Sequence, residues 1–247
     1  MRICQVEDYA AMSRMAADMI ADQIKEKPDC VLGLATGSTP VGAYALLAER
    51  QRRGELSFAS VRSVNLDEYY GLAPEHEQSY RYFMEKNLFK LVDIRPENTN
   101  VPNGLAPDPA AECERYDRLI DALGGIDLQL LGLGHNGHIG FNEPGSAFVP
   151  ETHPVDLTES TINANSRLFA SKDEVPRRAL TMGMRAIMQA RRVLVIVSGE
   201  DKAEAVKKSF AGPITPEVPA SILQLHRDFT LVADKDALSL WSSTRHQ

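Results

Sequence analysis

Between Leu130 and Gly145 the chain reads LLGLGHNGHIGFNEPG, with five glycines, two histidines and one carboxylate. The stretch follows the apolar run Ile126-Asp127-Leu128-Gln129-Leu130-Leu131. Glycines at the exit of a strand let backbone and an imidazole ring approach each other closely. His138 with Glu143 would make a histidine and an orienting carboxylate, an acid/base pair for work near neutral pH. Two other readings stay open. His135 and His138 stand three apart, as metal ligands can, although no third ligand stands out beyond Glu143. A core histidine satisfied by a carbonyl is the plainer possibility.

Three more predicted strand ends, and the loop segment holding Arg167, carry similar residues. Thr36-Gly37-Ser38-Thr39 precedes Pro40, and backbone N–H groups at such a helix start suit a phosphate. The same composition also suits an ordinary capped helix, with Ser38 or Thr39 as the cap and Pro40 in the first turn. The spacing does not match a P-loop, and no lysine follows in place. Asp67 and Glu68 sit in NLDEYYG, either as a solvated turn or as a base held at the end of a rigid element. Lys202 lies near a helix start, where the dipole disfavours a cation, so it is either solvated or paired with an anion. Arg167, in NANSRLF, has the same two readings. An arginine, a lysine and a glycine turn together would clamp one phosphoryl group.

The elements that would position these residues alternate in type. Met12, Met15, Ala16 and Met19 have helical spacing, and Pro28 closes that segment. CVLGLATG reads as a strand, and Val41, Tyr44, Ala45 and Ala48 give the next helix its core face. Val61 to Leu66 reads as a strand ending at Asp67, and Ser79 to Leu88 as a helix. Ala110 to Ala122 is a helix leading to the strand Ile126 to Leu133. Arg192 to Val197 is a strand, with a helix from about Asp201. Phe229 to Val232 is a last short strand. This alternation predicts a single α/β domain over residues 1–247: a doubly wound, mostly parallel, Rossmann-like sheet with helices on both faces. Ligands of such sheets collect at the carboxyl ends of the strands, where all four segments would meet. Residues 142–175 are rich in Pro, Ser, Thr and Asn and read as a lid or binding loop.

Bulk properties exclude several classes. The 247 residues are enough for a full core, and 43% hydrophobic with 25% charged residues is ordinary for a globular protein. A net charge of −7 argues against a general nucleic-acid or anionic-membrane surface. Three scattered cysteines, Cys4, Cys30 and Cys113, fit a reduced cytoplasmic setting better than a disulfide framework. Glu7, Asp8 and Asp18 interrupt the N-terminal region where a signal peptide would need an apolar run, and no apolar stretch is long enough to span a membrane.

LATGSTP, NLDEYYGL, GLGHNGHIGFNEPG, ANSRLF and LQLH, in this order and spacing, resemble the glucosamine-6-phosphate deaminase family from about residue 1 to 235. The resemblance implies a metal-free, cofactor-free reaction in amino-sugar catabolism: glucosamine 6-phosphate and water give fructose 6-phosphate and ammonia. It implies Asp67 as the general base moving a proton between C2 and C1, His138 as the group assisting ring opening, and Glu143 as its carboxylate partner. Thr36, Gly37, Ser38, Thr39, Arg167 and Lys202 match phosphate-holding positions. Two departures from the family pattern stand out. Many members carry Asp two residues before the histidine, where this chain has Asn136, which adds no negative charge there. Allosteric hexameric members carry basic residues shortly after the NEP motif, where this chain has SAFVPETHPVDL. A monomer or low-order homo-oligomer without allosteric control is therefore expected. The competing readings are an enzyme for the galactosamine epimer, a lactonase of the same fold, and a non-catalytic sugar-phosphate sensor.

Overall fold

The computed structural model describes residues 1–157, 162, 171 and 174–241. Strand β1 (Arg2–Val6) leads through α1 (Tyr9–Glu26) to β2 (Val31–Leu34), and α2 (Val41–Arg52) leads on to β3 (Arg62–Asn65). Then come β4 (Asp67–Tyr69), α3 (Tyr80–Asn87), β5 (Thr99–Asn100), α4 (Pro109–Ala122) and β6 (Leu128–Leu131). After these follow β7 (His153–Asp156), β8 (Arg178–Thr181), α5 (Met184–Gln189), β9 (Arg192–Val197), α6 (Ala203–Ala211) and β10 (Phe229–Asp234).

Seven strands form a parallel sheet in the order β1-β10-β9-β6-β2-β3-β5. Its inner strands are buried on both sides because both sides are covered. In β9, Val193, Val195 and Val197 enter one core, and Leu194 and Ile196 enter the other. The first core holds Tyr116 and Ile120 of α4, Ile187 of α5 and Phe210 of α6. The second holds Met12 and Ile20 of α1, Leu47 of α2 and Met84 of α3. The doubly wound arrangement expected from the alternation is therefore present. Its switch point lies between β2 and β6: from β2 the chain moves outward to β3, and from β6 it moves the other way to β9. In sheets of this kind ligands bind beyond the carboxyl ends of such a pair.

Three local expectations are corrected. Asp8 caps α1 and Asp108 caps α4 through their side chains, but neither Ser38 nor Thr39 caps α2. Pro40 occupies that cap position without a side-chain bond, and the Tyr9 hydroxyl takes the N–H of Gly42 at 2.9 Å instead. The helix expected from about Asp201 begins as a 3-10 turn, Glu200–Lys202, and becomes α6 only at Ala203. The cause is Gly199, which takes φ +101° with its N–H bonded to the buried Asp234.

The third correction matters most for function. The parallel strand ends at Asn65 rather than continuing to Asp67. Leu66 donates to Leu34 O (3.2 Å) and accepts from Met182 N (2.7 Å). The chain then leaves the parallel sheet, and Asp67 opens a three-stranded antiparallel sheet ordered β4-β8-β7, with Asp67 opposite Thr181. The segment 142–175, read as a weakly structured loop, thus contributes the strand β7. Its residues 158–161, 163–170 and 172–173 lie outside the described residues, and with them Arg167. Among the described residues no helix is long and apolar enough to cross a membrane.

Candidate active site

The loop after β6 is shaped by its glycines. Gly137 and Gly140 take φ +84° and +59°. Gly134 N–H donates to His138 O at 2.9 Å, which folds the loop over so that the ring of His138 lies against the Gly134 backbone. A Cβ on Gly134 would stand 2.3 Å from His138 Cε1, so only glycine leaves room for that ring.

Asn136 is the hinge of this arrangement. Its Oδ1 accepts from His138 N (3.1 Å) and lies 2.7 Å from His138 Nδ1, while its Nδ2 donates to Glu143 Oε2 at 2.7 Å. Glu143 Oε2 itself is 3.6 Å from His138 Nδ1. His138 and Glu143 thus stand within ion-pair distance, as expected from the sequence, and Asn136 bonds to both, giving a chain Glu143 to Asn136 to His138. An amide that donates to Glu143 must offer its oxygen to the ring, so Nδ1 carries the proton and Nε2 of neutral His138 is left as a proton acceptor. His135 turns elsewhere, with Nε2 at 2.7 Å from Asp201 Oδ2. The two histidines do not converge, and among the described residues no three His, Cys, Asp or Glu side chains form a metal-holding group.

Asp67 reaches this loop through β8. Thr181, its partner across the antiparallel ladder, accepts from Phe141 N at 3.0 Å. A Cβ on Gly140 would lie 3.4 Å from Asp67 Oδ2, which places the carboxylate beside the backbone between His138 and Glu143. Asn142 fastens the far side of the loop, donating to Ile139 O and Met182 O. Tyr69, Tyr80 and Phe141 pack together behind it, with ring centroids 4.9 to 5.9 Å apart.

Asp67 is only 5% exposed and accepts no hydrogen bond from the described residues. Burial, and secondarily the charge of Glu68, push its carboxyl up to about 8. Glu68 points to the other face of the strand and is held differently. Its oxygens accept from the N–H groups of Tyr69 (2.8 Å), Tyr80 (2.8 Å) and Arg81 (2.9 Å), the last two at the N-terminus of α3. Burial still pushes Glu68 up to about 7 against the pull of those donors.

The turn expected to hold a phosphate follows β2, the strand paired with β6. Thr36 and Thr39 are half-buried and Gly37 and Ser38 exposed, with Gly37 at φ +94°. The hydroxyls of Thr36, Ser38 and Thr39 form no hydrogen bond with the described residues. After β9, Lys202 Nζ donates to Leu133 O at 2.9 Å and lies 3.3 Å from His135 Nδ1, which brings a cation to the end of β6. Burial pulls the Lys202 ammonium below the usual lysine range, opposed by the charge of Asp201. The structure thus gathers Asp67, Asn136, His138 and Glu143 around one loop, with the turn Thr36–Thr39 and Lys202 at neighbouring strand ends.

Residues 6–232 match the family of glucosamine-6-phosphate isomerases/6-phosphogluconolactonase. The chain belongs to this family. It is 57% identical over 232 residues to the glucosamine-6-phosphate deaminase of Lachnoclostridium phytofermentans, covering 94% of this chain and 98% of that one. It is 56% identical over 240 residues to that of Clostridium perfringens, covering 97% and 99%. Among solved structures, a monomeric glucosamine-6-phosphate deaminase superposes with a TM-score of 0.94 at 49% identity, over 97% of this chain and 100% of that one. The 6-phosphogluconolactonase of Trypanosoma brucei shares the fold, with a TM-score of 0.80 at 20% identity over 98% of each chain.

Sequence reading missed three supports of the site. Thr181 sits in a short strand, RALT, whose polar ends gave no alternation to follow. Asp234 looked like the end of a strand, yet it accepts from Gly199 N and Ala237 N and fixes the loop that carries Lys202. Tyr9 at the start of α1 had no local reason to be singled out.

Proposed function

We propose that this chain is a glucosamine-6-phosphate deaminase, converting glucosamine 6-phosphate and water to fructose 6-phosphate and ammonia. The observation that carries the reading is the approach of buried Asp67 to the loop bearing the Glu143–Asn136–His138 chain. The relatives' names supply the substrate.

The proton steps follow from this geometry. The phosphate binds at Thr36, Gly37, Ser38 and Thr39 with Lys202 and Arg167, and this remote binding fixes C1 and C2 near the loop. Nε2 of His138 takes the anomeric hydroxyl proton and returns it to the ring oxygen as the C1–O bond of the ring breaks. The imidazolium formed on the way is steadied by Asn136 and, through it, by Glu143. With C1 now a carbonyl, the C2 proton is acidic enough for Asp67. Asp67 removes it while the substrate's ammonium passes a proton to the C1 oxygen, giving an enolamine, and Asp67 then returns its proton to C1, leaving an iminium at C2. Water adds to that iminium and ammonia leaves, giving the ketone. The substrate's own carbonyl acts as the electron sink. Its ammonium, arriving beside Asp67, favours the ionised carboxylate that burial disfavours.

The chain acts as one cytoplasmic domain, a monomer or low-order oligomer without allosteric control and without a nucleic-acid or membrane partner. The absence of basic residues in SAFVPETHPVDL supports this, as do three unpaired cysteines. A sigmoidal rate curve made hyperbolic by N-acetylglucosamine 6-phosphate would refute it.

The test is to incubate the purified protein with glucosamine 6-phosphate, without added metal or cofactor, and assay ammonia and fructose 6-phosphate together. Equal amounts of both, abolished in Asp67→Asn, are expected. Binding without turnover would refute the reading and favour the galactosamine epimer or a sensor.

A further inference from the structure

We propose that Tyr9 is a positioning residue for the phosphate turn: its hydroxyl caps α2 from a distance, leaving the hydroxyls of Ser38 and Thr39 for the substrate's phosphate. The inference rests on reading Thr36–Thr39 as that turn.

The first-turn amides of a helix need acceptors, and a serine or threonine at the cap usually supplies one. Here two such residues stand directly before α2 and neither does so, because Pro40 takes the cap position. Tyr9, the first residue of α1, reaches across instead. Its hydroxyl accepts from Gly42 N at 2.9 Å and donates to Ser38 O at 3.2 Å. One hydroxyl thereby uses its proton and a lone pair to tie the turn's carbonyl to the helix it precedes.

Two further features fit this role. Buried Tyr44 donates to Ala35 O at 2.6 Å, so the turn is held at its entrance by one tyrosine and at its exit by the other. Gly42 makes room for the second: a Cβ there would lie 2.4 Å from Ser13 Oγ and 3.0 Å from the Tyr9 hydroxyl oxygen. A turn fixed before the ligand arrives spends less binding energy on ordering itself. Thr39, three residues before Gly42, stands where a cap hydroxyl would take that N–H, so its hydroxyl stays uncommitted while Tyr9 is the acceptor.

Tyr9→Phe keeps the ring and removes the hydroxyl. Wild type and variant are titrated calorimetrically with inorganic phosphate and assayed for KM and kcat with glucosamine 6-phosphate. Losing one such hydrogen bond predicts a rise of about fivefold in phosphate Kd and in KM, with kcat changed less than about twofold. A crystal structure of the variant should show the Ser38 or Thr39 hydroxyl turned onto Gly42 N. In the Tyr9→Phe/Thr39→Ala double variant, phosphate Kd should exceed that of Thr39→Ala by much less than fivefold, because both changes act on one hydroxyl. Full additivity, or a lowered unfolding midpoint with phosphate Kd and KM unchanged, would overturn the assignment and leave Tyr9 as an anchor between two helices. Gly42→Ala disturbs the same bond from the other side and should reproduce the KM pattern. A wild type that binds neither phosphate nor sugar phosphate would overturn the phosphate-turn reading itself, whereas a binding wild type with an unaffected Tyr9→Phe overturns the role of Tyr9 alone.

Discussion

Replacing Asp67 with Asn should make the protein inactive and more stable, and the gain in stability should depend on pH. Burial raises the folded-state carboxyl from an ordinary 3.8 to about 8. Between those values the unfolded chain has released the proton and the folded chain still holds it. Stability is therefore fully present below about pH 4, falls as pH rises, and levels off above about pH 8. At about 1.4 kcal/mol per pH unit the full span costs at most about 6 kcal/mol, and relaxation around the site brings the cost near pH 7 down to about 2 kcal/mol. Asparagine has the shape of the protonated acid and never ionises, so the variant escapes this cost. Urea unfolding of both proteins at pH 5, 7 and 8.5 measures it. The variant's advantage should be small at pH 5, about 2 kcal/mol near neutrality and largest at pH 8.5. Glu68 is present in both proteins, so its own titration largely cancels in the difference. An advantage that does not change with pH, or a variant less stable than wild type at pH 8.5, would refute the claim that Asp67 is a desolvated acid. Loss of the base should lower kcat by about a hundredfold or more.

Other consequences are independent of that one. Because Asp67 must be ionised to act, kcat/KM should rise with pH and level off near the value of about 8 reached in the free protein, while kcat should level off at lower pH if the substrate's ammonium favours the carboxylate. Asn136→Ala breaks the chain between Glu143 and His138, and kcat should fall about 10- to 100-fold with a smaller change in KM, read from steady-state rates. Gly134→Ala puts a methyl group where the imidazole of His138 lies, and should lower kcat sharply while the Kd for inorganic phosphate, measured by calorimetry, stays near that of wild type. Lys202→Ala should raise KM and phosphate Kd together by about tenfold through loss of one charge-assisted contact.

The inner strands β2, β6 and β9 were legible because they are largely apolar and run into glycine turns, whereas the edge strands β1 (RICQV) and β5 (TN) carry no such run. CVLGLATG and RVLVIV are short apolar runs of that kind, and both appear as buried strands. The second sheet was not legible, because β4, β7 and β8 are three or four residues each and mix polar with apolar side chains. Asp67 was nominated as the end of a strand; in fact it begins one, since Leu66 is already bonded on both sides and the chain must turn. His138 and Glu143 were legible as a pair from their spacing. That Asn136 stands between them depends on how the glycines fold the loop, which no spacing reveals. The cap of α2 was misread for a related reason: its true acceptor, Tyr9, lies more than thirty residues away, and local sequence favours the serine and threonine next to the helix.

The neighbouring acids Asp67 and Glu68 show how this fold selects its base. Alternation along β4 sends their side chains to opposite faces. On one face Glu68 meets the N-terminus of α3, where three N–H groups occupy both of its oxygens. A carboxylate so engaged has no free direction toward a carbon-bound proton, and its charge is matched by the helix dipole. On the other face Asp67 meets the Gly140 backbone and Thr181 and receives no donor from the described residues. Its lone pairs are left for the substrate, and the nearby Glu68 charge adds to burial in raising its proton affinity. A base must bind a proton well enough to take it from carbon and weakly enough to give it back; burial raises both carboxyls into that range, and the free lone pairs of Asp67 decide between them. Glu68→Gln should therefore leave Asp67 in place but remove part of what raises it, moving the rise of kcat/KM to lower pH. An unchanged profile in that variant would mean that burial alone sets the base.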